Sequence, residues 1–249
     1  MFLVFLLCLP GAPMPSPASI FFGIKSGVSQ KYFENRQRWR ESDCPSRYAA
    51  AGITWKFFVG VPLDENHTLH GHNQGGLATD FEADIVRRLR NESLAYKDLQ
   101  ALSFRDQYMD LSYKTIEIMT YGFWFTEASF IGTHDDEFCL DVPKVLKLMS
   151  TALPQKQLLY AGHHLWSGSE DASMRGKSGT VAPYFSGWAY FLQRELVWYA
   201  IILSRDWAIF HQDYGTASED SNMGKWVAHA ENVYGIRVKM AQADIVSEI

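Results

Sequence analysis

Apolar positions along this chain fall into two alternating patterns. Ile20-Phe21-Phe22-Gly23-Ile24 is a short unbroken run, and Thr54-Trp55-Lys56-Phe57-Phe58-Val59 is a second, closed by Gly60 and Pro62. Runs this short, rich in aromatic and β-branched residues and ended by Gly or Pro, predict strands. Leu99 to Phe104 and Ser129 to Gly132 read the same way. Between them the period changes. Lys31 to Arg40 is a polar helical stretch. Leu77 to Leu94 carries Phe81, Ile85 and Leu89 on one helical face, and Leu111 to Phe125 carries Leu111, Thr115, Ile118 and Met119. Val142 to Leu153 predicts a further helix, and Tyr184 to Gln193 leads into an apolar helical run from Glu195 to Ser204. Strands alternating with helices predict an α/β fold with a largely parallel sheet. No repeat and no linker divides the chain, so residues 20–249 are expected to form one domain.

Composition narrows the classes. The 249 residues are 47% hydrophobic and 20% charged, which excludes a disordered chain. A net charge of −5 leaves no electrostatic footprint for nucleic acid. Three cysteines, Cys8, Cys44 and Cys139, include no C-x-x-C pair. A Cys44–Cys139 bridge suits an oxidising compartment, though nothing in the sequence requires it.

Met1 to Leu9 is strongly apolar, and Pro10 to Pro17 is rich in proline and small residues. The apolar run is shorter than the roughly 20 residues of a spanning helix. Residues 1–19 therefore read as a signal-like or clipped membrane-anchor segment with its stem; a buried first strand is the alternative. Sequons at Asn66 and Asn91 fit a secretory-route protein. The stretch Leu63 to Gly76, with His67, His70 and His72, reads as a surface loop.

The chemistry-bearing feature is Asp135-Asp136-Glu137, placed directly after an apolar strand. Ligands of open α/β sheets bind beyond the carboxyl ends of the strands. Three adjacent acids there repel one another, and a divalent cation relieves that repulsion. Hard oxygen ligands suit Mn2+ or Mg2+.

Several ordered motifs then carry a family resemblance. They are Phe22-Gly23-Ile24-Lys25-Ser26; Arg36 with Arg40; Glu92, Tyr96 and Asp98 in E-x-x-x-Y-x-D; and Asp106-x-Tyr108-x-x-Leu111-x-x-Lys114-Thr115. Asp135-Asp136-Glu137, Ala182-Pro183-Tyr184-Phe185-Ser186-Gly187 and Glu219-Asp220-Ser221-Asn222-Met223-Gly224 follow in order. Together they resemble the β-1,3-galactosyltransferase and β-1,3-N-acetylglucosaminyltransferase family, which includes the fringe enzymes. The resemblance implies a Rossmann-like nucleotide-sugar transferase fold of the GT-A type. It also implies a metal held by Asp135 and Glu137, and a donor pocket that includes Arg36, Arg40, Lys114, Asp135, Asp136, Tyr184, Ser186 and Gly187. Asp220 is the implied base, with Glu219 as its fallback. Structural ion pairing is the competing reading of Arg36, Arg40 and Lys114, and helix capping that of Glu219 and Asp220.

This chain departs from the family pattern at Glu137 in place of Asp, at Thr133-His134 in place of a lysine-bearing pair, and at Val181 in place of Tyr. It also lacks the late metal-binding His of some members. The implied activity is inverting, metal-dependent transfer of a hexose, galactose first, from a UDP-sugar to a glycoprotein or glycolipid hydroxyl in β-1,3 linkage. The implied compartment is the Golgi lumen, at its membrane. The rival expectation is an inactive relative that binds glycan or a partner protein, favoured by the altered triplet and by a C-terminus shorter than the family's.

Overall fold

The computed structural model describes residues 19–61, 80–106, 110–151, 157–166, 182–205 and 219–249. Its centre is a seven-stranded sheet in the order β10-β6-β9-β4-β1-β2-β3. Here β1 is Ile20–Lys25, β2 Ile53–Val61, β3 Leu99–Arg105, β4 Phe130–Asp135, β6 Leu158–Gly162, β9 Ala189–Gln193 and β10 Val238–Gln242. All neighbours run parallel except β9, which lies antiparallel between β4 and β6. Two short ribbons flank the sheet: β5 (Phe138–Leu140) with β11 (Val246–Glu248), and β7 (Leu165–Trp166) with β8 (Tyr184–Phe185). The α/β class and the mostly parallel sheet are as the alternating patterns predict.

The helices are α1 (Gln30–Glu41), α2 (Cys44–Ala50), α3 (Asp80–Tyr96), α4 (Leu111–Phe125), α5 (Val142–Ser150), α6 (Arg194–Ser204) and α7 (Glu219–Tyr234). They cover both faces of the sheet. Successive strand side chains point to opposite faces. In β1, Phe22 and Ile24 join Trp39, Tyr48, Val145 and Leu148 beneath α1, α2 and α5. Phe21 joins Ile118, Met119, Leu196, Val197 and Trp226 beneath α4, α6 and α7. Burial on both faces is why β1 is a continuous apolar run rather than an alternating one. At Gly23 a Cβ would stand 2.3 Å from Ile118 Cγ2, so the missing side chain is what lets α4 approach β1.

Several boundaries differ from the expectation. The strand expected to stop at Gly132 continues to Asp135, so Thr133 and His134 are buried inside a strand. His134 is accommodated by Tyr48 OH at 3.0 Å and the Asp135 carbonyl at 2.9 Å. Burial pushes its pKa down to about 4, which keeps the imidazole neutral at neutral pH. The run Tyr184 to Gln193 is two strands separated by a turn. The helix expected from Leu77 is described from Asp80, and α5 ends at Ser150, before Leu153.

Cys44 and Cys139 form a disulfide with Cα atoms 5.8 Å apart, tying α2 to β5. Met1 to Leu9, the His67, His70 and His72 stretch and Asn66 lie outside the described residues. Asn91 is exposed on α3. Among the described residues no helix is long and apolar enough to cross a membrane.

Candidate active site

β1 and β4 are parallel neighbours, and their last residues, Lys25 and Asp135, are partners in register. Asp136 and Glu137 then make the two-residue turn into β5. A cleft of about 340 Å3 opens at this strand edge, lined by Lys25, Ser26, Lys31, Tyr32, Asp106, Lys114, Asp135 and Glu137 among others. It is not the largest hollow. A larger one, about 580 Å3, lies between α1 and α3 and carries Phe33, Gln37, Arg88 and Tyr96.

Lys25 organises the inner wall. Its Nζ stands 3.2 Å from Asp135 Oδ1 and 2.6 Å from the Gly187 carbonyl, and it donates a short hydrogen bond to Glu219. An ammonium has three donors, and all three are used. Burial works against the charged amine, but Asp135 and Glu219 outweigh it and hold its pKa above the usual lysine value. Asp135 keeps 37% of its side-chain surface open to the cleft. Protein on its other sides raises its pKa, and Lys25, which is shared with Glu219, only partly offsets that.

Glu219 begins α7 and is fully engaged: besides Lys25 it accepts from Thr115 Oγ1 at 3.0 Å and from Tyr190 OH at 2.7 Å. It is 4% exposed, which leaves it no route to a bound acceptor. The next residue, Asp220, accepts from the Gly187 amide at 3.0 Å and from the Ser221 amide at 2.8 Å. Its pKa is pushed up to about 6, by burial first and by the Glu219 charge second. Gly187 therefore links the two halves: its carbonyl meets Lys25 and its amide meets Asp220. A Cβ there would stand 2.7 Å from Glu219 Oε1 and 3.4 Å from Lys25 Nζ.

The remaining expected residues divide. Lys114 lines the cleft, donating to the Ser26 carbonyl at 2.6 Å and to Asp106 at 2.5 Å. Ser186 adjoins Gly187, and its Oγ accepts from the Trp188 amide at 3.3 Å. Tyr184 is buried in β8 and does not line the cleft. Asp136 lines the cleft beside Ser26, but its carboxylate is engaged by Ser26 Oγ and by Asn35 Nδ2 at 2.9 Å, and burial lifts its pKa to about 6. Arg36 and Arg40 do not reach the cleft. Arg36 is fully buried in a two-bond fork with Glu92, at 2.8 and 2.7 Å. Arg40 pairs with Glu92 and Asp98, its guanidinium 4.1 Å from the Tyr96 ring centre. Both are buried or part-buried ion-pair partners joining α1 to α3 and to the turn that leads into β3. Arg36 supports the cleft indirectly, through Ser26 Oγ at 2.8 Å and the Gly27 carbonyl at 2.6 Å.

Lys31, Tyr32 and Trp188 stand outside the motifs, and Lys25 and Asp106 stand inside them without an implied role. Lys25 carried a readable signal, since a lysine that closes a buried strand needs acidic partners.

For a divalent cation the donor chemistry fits at Asp135 and Glu137. Both are carboxylates on one cleft, 37% and 45% exposed, and the intervening Asp136, on the same cleft, is buried and held by Ser26 and Asn35. Glu137 meets Lys31 at 2.5 Å, an exposed partner that a cation can displace. Among the described residues the one group of three metal-binding side chains close enough to share an ion, Asp43 with Cys44 and Cys139, is closed by the disulfide.

No curated protein matches the sequence. Among solved structures, the chain is similar to HddC from Yersinia pseudotuberculosis (10% identity, TM-score 0.39, 93% of each chain). It is also similar to the mannosyltransferase PcManGT from Pyrobaculum calidifontis in complex with GDP-Man and Mn2+ (11%, TM-score 0.44), over 97% of this chain and 61% of that one. A third is a glycosyltransferase involved in glycosylation of the major capsid of PBCV-1 (11%, TM-score 0.39, 90% and 82%). The galactosyltransferase family model matches residues 76–231, a span that holds the motifs from Glu92 to Gly224 and leaves the Lys25 and Arg36 segments outside it. The chain belongs to the galactosyltransferase family and is a sugar-transferring enzyme.

Proposed function

We propose that this enzyme transfers a hexose, galactose first, from a UDP-sugar to a glycan hydroxyl with inversion, forming a β-1,3 linkage on a glycoprotein or glycolipid in the Golgi lumen. The observation that supports the reading best is the Lys25–Gly187 connection. It brings the cleft carboxylate Asp135 and the carboxylate Asp220 onto the same short network.

Each group has a task in that reaction. Lys114, held by Asp106 and the Ser26 carbonyl, and Lys31 at the mouth put positive charge on the wall facing a diphosphate. Tyr32 supplies an aromatic wall to the same cleft. Lys25 fixes Asp135 at the end of β4. Asp135 and Glu137 would hold Mn2+ or Mg2+, which supplies charge stabilisation for the departing nucleoside diphosphate. Asp220 takes the proton from the acceptor hydroxyl as its oxygen attacks the anomeric carbon. A pKa of about 6 leaves it ionised at neutral pH yet more basic than an ordinary aspartate. Glu219, whose oxygens are occupied, serves as the anchor for Lys25 rather than as a second base. The disulfide supports the lumenal compartment, because such bridges persist in oxidising environments.

Release of free hexose from a panel of UDP-sugars, with and without Mn2+, tests the reading. Metal-dependent hydrolysis of UDP-galactose above the other donors is expected. Retained UDP binding without hydrolysis or transfer of any donor would instead favour an inactive glycan-binding relative.

A further inference from the structure

Trp188 follows the Ser186-Gly187 pair and is half exposed, at 50% of its surface. Exposed indoles also occur at Trp124 and Trp198 on α4 and α6, and what sets Trp188 apart is its backbone contact with Asp135 at the edge of the cleft. Its placement is tightly fixed. The Trp188 carbonyl accepts from the Asp135 amide at 3.2 Å, and the Trp188 amide donates to Ser186 Oγ at 3.3 Å. Its ring packs on His163, with centroids 5.3 Å apart and planes 26° apart, and on Phe138 at 5.4 Å. His163 in turn lies 3.2 Å from the exposed Asp244, though burial keeps its imidazole neutral and its Nδ1 makes no hydrogen bond. One strand away, exposed His164 and half-buried Trp166 form a second aromatic pair at 4.7 Å, and the His164 carbonyl accepts from the Ser186 amide. The result is a rigid aromatic surface joined by backbone to Asp135 on one side and to the Gly187–Asp220 contact on the other.

We infer that Trp188 is the stacking platform for the acceptor sugar, a neutral pyranoside whose face of ring C–H groups lies on the indole while its hydroxyl is presented toward Asp220. The inference rests on the transferase reading and adds the acceptor subsite to it. Four observations favour this occupant. The surface is aromatic and uncharged at its centre, which suits a neutral ring better than a diphosphate. The cationic wall of the cleft, Lys31 and Lys114, lies apart from it and suits the donor. A rigid two-torsion side chain loses little freedom on binding. Exposed His164 and half-buried Trp166 supply polar ring nitrogens beside it, which a sugar's equatorial hydroxyls require.

Saturation-transfer NMR with methyl β-D-galactopyranoside and methyl N-acetyl-β-D-glucosaminide, in the presence of UDP and Mn2+, tests the platform without needing turnover. Ring-proton saturation of at least one glycoside is expected, with none for mannitol, a polyol that has no ring face. Trp188→Ala should abolish that saturation and Trp188→Phe should keep most of it. Trp198→Ala, a substitution of an exposed indole on α6, should leave it unchanged. In transfer assays Trp188→Ala should raise the acceptor KM on the order of ten-fold, the loss of one aromatic contact, without the same rise for the donor. Saturation that survives in Trp188→Ala, or no saturation with the wild-type protein, overturns the inference. An equal rise in both KM values also overturns it, by making Trp188 a support for Asp135. Saturation lost in Trp188→Ala from a protein that transfers no sugar would leave the platform standing and remove the transferase reading.

Discussion

Lys25 Nζ and Asp135 Oδ1 face each other across 3.2 Å at the ends of two parallel strands, and the same ammonium also holds Glu219 and the Gly187 carbonyl. One cation thus fastens β1, β4, the turn before β9 and the start of α7. Its charge is permanent at neutral pH, because the two carboxylates hold its pKa above the usual lysine value.

Removing that cation alone should be costly. Lys25→Met leaves Glu219 buried and without its ion-pair partner, and breaking a buried pair from one side costs about 3–5 kcal/mol. Adding Glu219→Gln removes the orphaned charge, so the double variant should recover most of the loss. Urea unfolding of the two single variants and the double closes the cycle. Additive losses would show that the pair is not coupled.

The disulfide gives a second stability prediction. It joins residues 95 apart in sequence, and a link of that span removes much of the unfolded chain's freedom. Replacing Cys44 and Cys139 together by serine should lower stability by about 2–4 kcal/mol. The unreduced, denatured chain should titrate with one free thiol, Cys8, of its three cysteines. Three titratable thiols would exclude the bridge.

Much of this architecture was legible because most strands and helices carry their own period. β1, β2, β3, α1 and α4 lie within a residue or two of where the pattern of apolar residues puts them. α2, β5, β6, β7, β10 and β11 were not legible. β6 is five residues long, β10 is only half-buried along its length, and β5 and β11 are three residues each, fixed by a turn and by pairing rather than by local pattern. The site divides in the same way. Asp135, Gly187 and Asp220 could be singled out because their motifs are local. The burial of Arg36 and Arg40 could not, since it depends on Glu92 and Asp98, more than fifty positions away in the chain. Trp188 was silent for a related reason: its meaning comes from His163 and Phe138 beside it.

Glu137 should be a functional residue with little structural weight. It is 45% exposed, and its contact with Lys31 is a surface ion pair, a kind that adds little to stability. Glu137→Ala should therefore melt within a few degrees of wild type. Calorimetric titration should show UDP binding in Mn2+ weakened on the order of ten-fold or more. Undiminished affinity would put the metal on other ligands.

Gly187→Ala should damage the site from within. The added methyl would lie 2.7 Å from Glu219 Oε1, and Lys25 and Asp220 border the same space, so the Lys25–Glu219 contact must shift. Overpacking of this kind costs about 1–3 kcal/mol. Transfer should fall by more than the stability loss explains, because the Gly187 amide also positions Asp220. A variant with wild-type turnover would mean that the linkage through Gly187 is dispensable.

Asp220 carries the most discriminating prediction, because its pKa and its geometry bear on the same step. With a pKa pushed up to about 6, the base form is lost as pH falls, so kcat/KM should drop tenfold per pH unit below that point and level off above it. The stability effect has the opposite sense. The folded pKa lies above the ordinary aspartate value of 3.8, so between about pH 4 and pH 6 the native state holds more protons than the unfolded one. Stability from this group is therefore present at low pH and lost as pH rises through that window. Asp220→Asn removes both effects. Transfer should fall on the order of 10²–10⁴-fold, and the acid limb of the profile should disappear with it. UDP binding should persist, and the variant's stability relative to wild type should rise between roughly pH 4 and pH 7. Asn keeps one acceptor oxygen where Asp220 uses two, for the Gly187 and Ser221 amides, so a small loss common to all pH values is expected on top. Transfer at the wild-type rate in this variant would reduce Asp220 to an acceptor for those two amides and leave the reaction without its base.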